Sequence, residues 1–204
     1  MQQILERANP ILPVIVIEKL EHAVPLAQAL YRAGLEVLEV TLRSDCALPA
    51  ISAIKVALPQ LSVGAGTYTD PAQSGAIAAA GADFVVSPGI SHELIDAARQ
   101  QGLPILPGIM TPSDILVAVA EGLNMVKLFP AESAGGVAYI KSLAGPFPGL
   151  RFCPTGGINS TNYRDYLTLP QVICVGGSWV APADWVREER WPEIERITRQ
   201  ATGK

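Results

Sequence analysis

The sequence predicts an α/β protein in which one domain, residues 1–204, forms a (βα)8 barrel. The length of 204 residues lies near the lower end for such a barrel and is suited to a single core. Hydrophobic residues make up 49% of the chain and charged residues 17%, which is typical of a compact enzyme or binding domain. Helical stretches alternate with short apolar runs along the chain, and this alternation indicates parallel βα units.

A repeated joint between helix and strand marks these units. In four segments a helical stretch ends at a glycine and an apolar run of strand length follows at once: AGLEVLEV, AGADFVVSP, QGLPILPG and EGLNMVKLFP. The glycines are Gly34, Gly81, Gly102 and Gly122, and each stands where the carboxyl end of a helix requires a left-handed residue. The last three follow one another at nearly equal intervals, and the interval between the first two is about twice as long.

The remaining apolar runs bring the number of predicted strands to about eight. They are LPVIVI, LSVGAGT (61–67), LRFCPTGG and QVICVGG. Helix formers with helical apolar spacing occupy intervening stretches such as 22–33, 45–58, 71–80 and 91–101. We prefer a closed (βα)8 barrel, the TIM-barrel architecture, in which functional groups gather at the carboxyl ends of the strands. An open, doubly wound sheet is the alternative.

Charge and cysteine content limit the partners and the compartment. The net charge of -4 and the absence of a Lys/Arg run argue against nucleic-acid binding and favour small-molecule partners. Neither a signal-peptide pattern nor an apolar run of membrane-spanning length occurs, so we expect no membrane contact and a cytoplasmic protein. Cys46, Cys153 and Cys174 are widely spaced, which fits reduced thiols better than a disulfide framework or a zinc site.

Lys127 differs from the other four lysines. We expect Lys19, Lys55, Lys141 and Lys204 in solvent, whereas Lys127 lies inside the apolar run MVKLF. Burial disfavours the charged form of a lysine, and the neutral amine can attack a ketone carbonyl to form a Schiff base. The alternative is a lysine with a buried stem whose ammonium reaches water or a carboxylate.

Strand alternation places other groups beside Lys127. Phe129 shares its face and is expected to pack beside the imine and exclude water. In the run EVLEVTLR, one face carries Glu39, Thr41 and Arg43. Glu39 is a candidate for moving protons during carbinolamine, imine and enamine formation, and Arg43 has the planar fork that suits a substrate carboxylate. An ion pair that merely satisfies buried charges is the alternative for Glu39.

Strand ends that contain glycine indicate where an anion binds. GAGTYT (64–69) does not fit the dinucleotide fingerprint, but Thr67 offers a hydroxyl that could hold a carboxylate or a hydrate. The loops TGGINS (155–160) and GGSW (176–179) follow the last two strands, where barrel phosphate sites form from backbone amides. Ordinary tight turns are the alternative for both loops.

The sequence offers few potential zinc ligands. The two histidines, His22 and His92, are isolated from each other and lie near predicted helix starts. A zinc-dependent enzyme requires several ligands and an open coordination position. We therefore expect no metal and no cofactor.

Segments that span nearly the whole chain resemble the 2-keto-3-deoxy-6-phosphogluconate (KDPG) aldolases and the related 4-hydroxy-2-oxoglutarate (KHG) aldolases. They are LPVIVIEKLEHAVPLAQAL, LEVTLR, VGAGT, SPG, KLFPAE, GPFP, RFCPTGGI, NYRDYL and GGSWVAP. The resemblance implies a class I aldolase, a lyase, that cleaves KDPG to pyruvate and glyceraldehyde 3-phosphate and also KHG to pyruvate and glyoxylate. It further implies a homotrimer and a place in the Entner-Doudoroff pathway.

The resemblance also implies residue roles. Lys127 would form the Schiff base and Glu39 would shuttle protons. The implied substrate contacts are Arg43 and Thr67 at the carboxylate, Pro88 and Phe129 at the pocket wall, and Thr155, Gly156, Gly157, Gly177 and Ser178 around the phosphate. The chain before the first strand is short, which leaves few residues to cover the amino-terminal end of the barrel.

Three other functions are alternatives to this one. An aldolase that prefers the galactonate epimer would use the same residues. A phosphosugar-binding barrel without catalysis would be expected to lack Lys127 or Glu39, and both are present. A phosphosugar isomerase or decarboxylase barrel would need a different acid and base set and no lysine on a strand.

Overall fold

The computed structural model describes residues 1–203, which form an α/β structure of nine strands and ten α-helices. The strands are β1 (Ile11–Ile15), β2 (Val37–Thr41), β3 (Ser62–Gly66), β4 (Phe84–Val86), β5 (Ile105–Leu106), β6 (Gly108–Ile109), β7 (Met125–Leu128), β8 (Arg151–Phe152) and β9 (Val175–Gly177). The helices are α1 (Gln2–Ala8), α2 (Ala23–Arg32), α3 (Ala47–Ala57), α4 (Ser74–Ala79), α5 (His92–Gln100), α6 (Pro112–Ala120), α7 (Gly136–Ala144), α8 (Tyr163–Leu167), α9 (Ala183–Arg187) and α10 (Trp191–Thr202). Short 3-10 helices, Leu20–His22 and Pro71–Gln73, precede α2 and α4. No helix within residues 1–203 has the length and apolar character needed to cross a membrane.

The strands pair in parallel and form two curved sheets. A six-stranded sheet has the order β5-β4-β3-β2-β1-β9, and a three-stranded sheet has the order β6-β7-β8. Pro107 separates β5 from β6, so the chain passes directly from one sheet to the other. At the opposite margin, isolated bridges join Phe152 to Val172 and Thr155 to Gly176. The expected alternation of helices with parallel strands is confirmed.

The segment QGLPILPG forms two short strands where the sequence predicts one. Pro107 has no backbone N–H, so it cannot donate to the ladder, and the strand is interrupted there. Its carbonyl accepts a hydrogen bond of 2.8 Å from the backbone N–H of Lys127. The break therefore lies directly beside the strand that carries the predicted nucleophile.

The predicted helix ends have the expected backbone conformation. Gly34, Gly81, Gly102 and Gly122 have φ angles of 90°, 82°, 69° and 72°, in the left-handed region. The helix predicted over 22–33 begins at Ala23 after a 3-10 turn, and the one predicted over 71–80 likewise opens with a 3-10 turn. Short 3-10 turns are frequent at the ends of α-helices, so the first residues of a helix often differ from those that the sequence predicts.

The amino-terminal end of the interior is filled by a compact apolar cluster. Helix α1 contributes Leu5 and Ala8, which are buried in one cluster with Phe84 on β4, Cys153 directly after β8 and Cys174 directly before β9. A larger cluster fills the space between the sheets and the surrounding helices. The short segment before β1 is therefore sufficient to cover this end, and the buried polar side chains Glu39, Thr41, Lys127 and Thr155 lie on or beyond the strands that form the interior.

Lys55 departs from its expected position in solvent. Its side chain is 22% exposed, and its Nζ donates to Asp83 at 2.8 Å and to the carbonyl of Leu61 at 2.9 Å. Asp83 also accepts a 2.7 Å hydrogen bond from the backbone N–H of Val63. The ion pair thus joins α3 to the segment that enters β4. Lys204 lies outside the described residues.

Candidate active site

A pocket of about 220 Å³ opens at the carboxyl ends of the strands. It is lined by Val14, Glu39, Thr41, Arg43, Thr67, Pro88, Lys127, Phe129 and Thr155. Seven of these residues are among the site residues predicted from the sequence. The pocket combines apolar walls with a few convergent polar groups, which is the usual character of a small-molecule site.

The central feature of the pocket is a buried ion pair. Lys127 on β7 is 6% exposed and Glu39 on β2 is 1% exposed, and Nζ lies 3.4 Å from Oε1. The second carboxylate oxygen of Glu39, Oε2, is buried and has no hydrogen-bond partner in the described part of the chain. The carboxylate therefore has an unused acceptor at a position next to the amine.

Two glycines beside this pair leave room for neighbouring groups. A side chain at Gly66 would collide with the carboxylate of Glu39. Gly108 is the register partner of Lys127, and a side chain there would collide with the backbone of Pro88. β3 can approach Glu39 this closely, and β6 can approach Pro88, because Gly66 and Gly108 lack a Cβ atom.

The surroundings of the amine are apolar on one side. The Lys127 Nζ lies 5.3 Å from the centroid of the Phe129 ring, within the range of a cation–π contact. The Thr41 hydroxyl donates to the carbonyl of Ile15 at 3.0 Å and is thereby held in place. Val14 is the register partner of Glu39 and was not predicted, because in sequence it looks like any core valine.

Arg43 and Thr67 lie at the rim of the pocket. Arg43 follows β2 with an exposed side chain, and its guanidinium has no ion-pair partner among residues 1–203. Thr67 follows β3 with a φ angle of 60°, which is uncommon for a residue other than glycine. An uncommitted cation and a hydroxyl at one rim can bind a substrate carboxylate.

The loops TGGINS (155–160) and GGSW (176–179), here called the two glycine loops, meet beside the pocket. Thr155 forms a bridge with Gly176, where a side chain would overlap that of Thr155. Gly156 and Gly157 have φ angles of 99° and 78°. Their backbone N–H groups donate no hydrogen bond to another described residue. Free amides in a left-handed turn are suited to binding an anion.

The predicted phosphate residues lie outside the pocket lining itself. They are Gly156, Gly157, Gly177 and Ser178. Gly177 ends β9, and Ser178 follows it with an exposed side chain. The bridge between Thr155 and Gly176 places both loops next to the pocket, although their residues do not line it.

The first glycine loop is held from the outside by Glu132 and Tyr166, which the sequence did not single out. The N–H of Glu132 donates to the carbonyl of Gly156 at 3.1 Å, and the side chain of Glu132 occupies the space where Gly157 lacks a Cβ. The Tyr166 hydroxyl donates to the Glu132 carboxylate. Burial and this bond raise the pKa of Tyr166 well above its usual value. The motifs KLFPAE and NYRDYL were the available signal, but their partnership depends on folding.

The layer beneath Glu39 is uncharged. Cys153 and Cys174 are fully buried with their sulfurs 3.6 Å apart. The hydrogen bond with Cys153, burial and the nearby charge of Glu39 raise the pKa of the Cys174 thiol well above its usual value. Cys174 therefore fills space as a neutral thiol.

Comparison with protein families and curated sequences gives a consistent result. The family model for KDPG and KHG aldolase matches residues 1–197. The chain is 50% identical over 200 residues to the 2-dehydro-3-deoxy-phosphogluconate aldolase of Dickeya dadantii, covering 98% of this chain and 93% of the relative. It is 49% identical over 193 residues to the KHG/KDPG aldolase of Escherichia coli K12, covering 95% and 91%.

Solved structures with similar folds carry related ligands. KDPG aldolase from Legionella pneumophila, with pyruvate captured at low pH as a covalent carbinolamine intermediate, has a TM-score of 0.93 and 43% identity, covering 96% of this chain and 95% of that chain. The aldolase of Zymomonas mobilis ZM4 with 3-phosphoglycerate has a TM-score of 0.91 and 42% identity, covering 99% and 96%.

Tyr166→Phe tests the contact that holds the first glycine loop. Because the folded-state pKa of Tyr166 is raised, the stability that it contributes is fully present below the ordinary tyrosine pKa of about 10 and is lost as pH rises further. The parent should therefore lose free energy of unfolding more steeply in alkali than Tyr166→Phe. Urea titrations at several alkaline pH values measure this. Equal slopes would contradict a raised pKa of Tyr166 in the folded chain.

Proposed function

This chain belongs to the KDPG and KHG aldolase family, and on that premise we propose that it cleaves KDPG to pyruvate and glyceraldehyde 3-phosphate through a Schiff base on Lys127. The single observation that carries the proposal is the buried amine of Lys127, 3.4 Å from the buried carboxylate of Glu39 in an open pocket. The same site would cleave KHG to pyruvate and glyoxylate. Membership of this family makes the protein an aldolase, and therefore a lyase.

The first half of the reaction forms the imine. The neutral amine of Lys127 attacks the ketone carbon of the substrate and gives a carbinolamine, which loses water to form the imine. Glu39, whose Oε1 lies beside Nζ and whose Oε2 has no partner among residues 1–203, takes a proton from the attacking nitrogen and passes it to the hydroxyl that leaves as water. The pyruvate carbinolamine in the Legionella relative supports this chemistry.

The second half breaks the carbon–carbon bond. Glu39 takes the proton of the substrate hydroxyl on the second carbon from the imine carbon. The bond between that carbon and the carbon next to the imine breaks, and its electron pair moves toward the imine to form an enamine. The aldehyde leaves. Protonation of the enamine carbon and hydrolysis of the imine then release pyruvate and restore the free amine. Phe129, against the amine, keeps bulk water from the intermediate.

Different residues would bind the two ends of the substrate, its carboxylate and its phosphate. We assign the carboxylate to Arg43 and Thr67, because the guanidinium is uncommitted and both residues line one rim. Pro88 completes the wall of the pocket. We assign the phosphate to the loops that carry Thr155, Gly156, Gly157, Gly177 and Ser178. The free amides of Gly156 and Gly157 support this assignment.

We further propose that residues 1–204 form one domain, a closed (βα)8 barrel in which β5 and β6 are two halves of the fifth strand. Two observations support closure. At one margin the chain passes from the six-stranded to the three-stranded sheet across Pro107, and at the other margin the bridges at Val172 and Gly176 join the two sheets again. A cytoplasmic location is part of the same proposal, because a phosphorylated sugar acid is charged and is retained inside the cell that makes it.

A homotrimer is the proposed assembly. Helix α6 exposes Leu116 and Val119 on one face, at 60% and 54%, and Met110 precedes it at 43%. Next to Val119 lies a surface pocket of about 400 Å³ that Leu123, Phe147 and Leu150 help to line. Exposed apolar surface of this kind is typical of a subunit contact.

Val119→Lys should lower the mass measured by light scattering, whereas Val56→Lys, at an 84% exposed position on α3, should not.

Trapping of the imine tests the nucleophile. Borohydride added during turnover should reduce the imine to a secondary amine, and peptide mapping should find the added mass on the segment that contains Lys127. Lys127→Met removes the amine but keeps the apolar stem, so it should fold and lose both adduct and activity. Lys141→Met, at an exposed position on α7, is the matched control and should keep both. Turnover without an adduct, or an adduct on another lysine, would show the mechanism to be wrong.

Glu39→Gln tests the proton shuttle. The amide keeps the size of the side chain but cannot carry the proton, so turnover should fall by about 10²- to 10⁴-fold with the fold intact. Pyruvate release measures the rate, and circular dichroism the fold. Glu36→Gln, at a half-exposed position just before β2, should change neither. A Glu39→Gln rate within about threefold of the parent would rule out the assigned role.

Ser178→Asp tests the phosphate site. A carboxylate beside the glycine loops should repel the phosphate, so KM for KDPG should rise by much more than KM for unphosphorylated KHG. Ser142→Asp, which adds the same charge on exposed α7, should affect neither substrate. Equal losses for KDPG and KHG would mean that the loops are structural turns.

A further inference from the structure

Three potential metal ligands meet at a position that the proposed reaction does not use. Glu21 and His22 lie in the 3-10 helix before α2, and Glu189 lies between α9 and α10 with a φ angle of 54°. One ligand atom from each lies within 4.8 Å of the other two. The pocket of Lys127 is lined by other residues.

His22 is the residue that points to a ligand. It is 2% exposed, and its Nε2 has no hydrogen-bond partner in the described part of the chain. The nearest charged atom, Oε1 of Glu189, lies 3.4 Å away, beyond ordinary hydrogen-bond length. Two ligands at about 2.1 Å from a tetrahedral zinc ion lie about 3.4 Å apart. The separation therefore fits two ligands of one ion better than a direct contact.

We propose that Glu21, His22 and Glu189 form a binding site for Zn²⁺ that serves stability and not catalysis. An imidazole with two carboxylates is a suitable zinc donor set, and water would complete the tetrahedron. The edge-on Trp191 ring, with its centroid 5.7 Å from that of His22, supports the imidazole. Lys19, whose Nζ lies 3.8 Å from Glu21, is exposed and can turn away when the ion binds.

The position of the site explains what the ion would do. His22 immediately precedes α2, and Glu189 lies shortly before α10. These two helices, the second and the last of the described chain, are already joined by an ion pair between Arg32 and Glu195 at 2.9 Å. A zinc ion would link the beginning of the fold to its end. An ion that binds the folded chain and not the unfolded chain raises stability with its concentration.

Zinc titration of the chelator-treated full chain tests the site. We expect one equivalent of Zn²⁺ to bind in competition with a chromophoric chelator, with micromolar or tighter affinity, and to raise the thermal unfolding midpoint. Mg²⁺ at the same concentration should do neither, because it prefers oxygen ligands. Aldolase activity of the metal-free protein should equal that of the zinc-loaded protein, so the result does not depend on the proposed function.

Variants assign the binding to these residues. His22→Gln and Glu189→Gln should each weaken zinc binding at least tenfold and remove the shift in midpoint. The second change is at a 60% exposed side chain and should fold even if the first does not. His92→Gln, the other histidine, and Glu188→Gln, the neighbouring carboxylate, should bind zinc as the parent does. Absence of stoichiometric binding, binding that survives Glu189→Gln, or binding lost in His92→Gln would overturn the proposal.

Discussion

A lysine and a glutamate buried against each other across the strands are the constraint on which the pocket depends. Removing two charges from water is costly, and loss of either partner would leave the other uncompensated. Lys127 and Glu39 satisfy each other at 3.4 Å, which requires β7 and β2 to face one another across the interior. The second carboxylate oxygen of Glu39 has no hydrogen-bond partner among residues 1–203. A free acceptor beside an amine is what the proposed proton transfer requires.

The rest of the interior accommodates this pair in two ways. The layer beneath the pair is uncharged, and glycines beside the pair leave space open. Below it, Leu5 from α1 and the neutral thiols of Cys153 and Cys174 form an apolar layer. Around it, Gly66 and Gly108 leave out side chains that would collide with the site. An apolar floor strengthens the electrostatic interaction above it, because low-dielectric surroundings screen charges weakly.

The glycine loops show a second way of positioning a site. The carbonyls of Gly156 and Gly157 accept hydrogen bonds from Glu132 and Asn162, whereas the amides of the same two glycines donate to no other residue that the structure describes. Tyr166 in turn holds the carboxylate of Glu132. The loop is thus fixed from its outer side, and its donors are left for a ligand. A turn with positive φ angles can keep this arrangement only if its residues are glycines.

The sequence by itself determined the alternation of helices and parallel strands, the glycine at each helix end and the candidate pair Lys127 and Glu39. These follow from signals within a few residues: periodicity, a left-handed joint, and a charge inside an apolar run. Polar residues on an otherwise buried strand are conspicuous without any structure, which is why most of the pocket could be predicted. The two glycine loops were predictable from their paired glycines, and phosphate as their ligand is a proposal.

Only the tertiary structure decided which distant segments meet. Val14 joins the pocket through its register with Glu39, and Lys55 is drawn out of solvent by Asp83. Glu189 reaches His22, which the sequence presented as an isolated histidine. Such contacts depend on strand register and on how the sheets curve, and these are set by packing over the whole chain. Local propensity cannot encode them, because each partner is compatible with many neighbours until the fold brings one of them near.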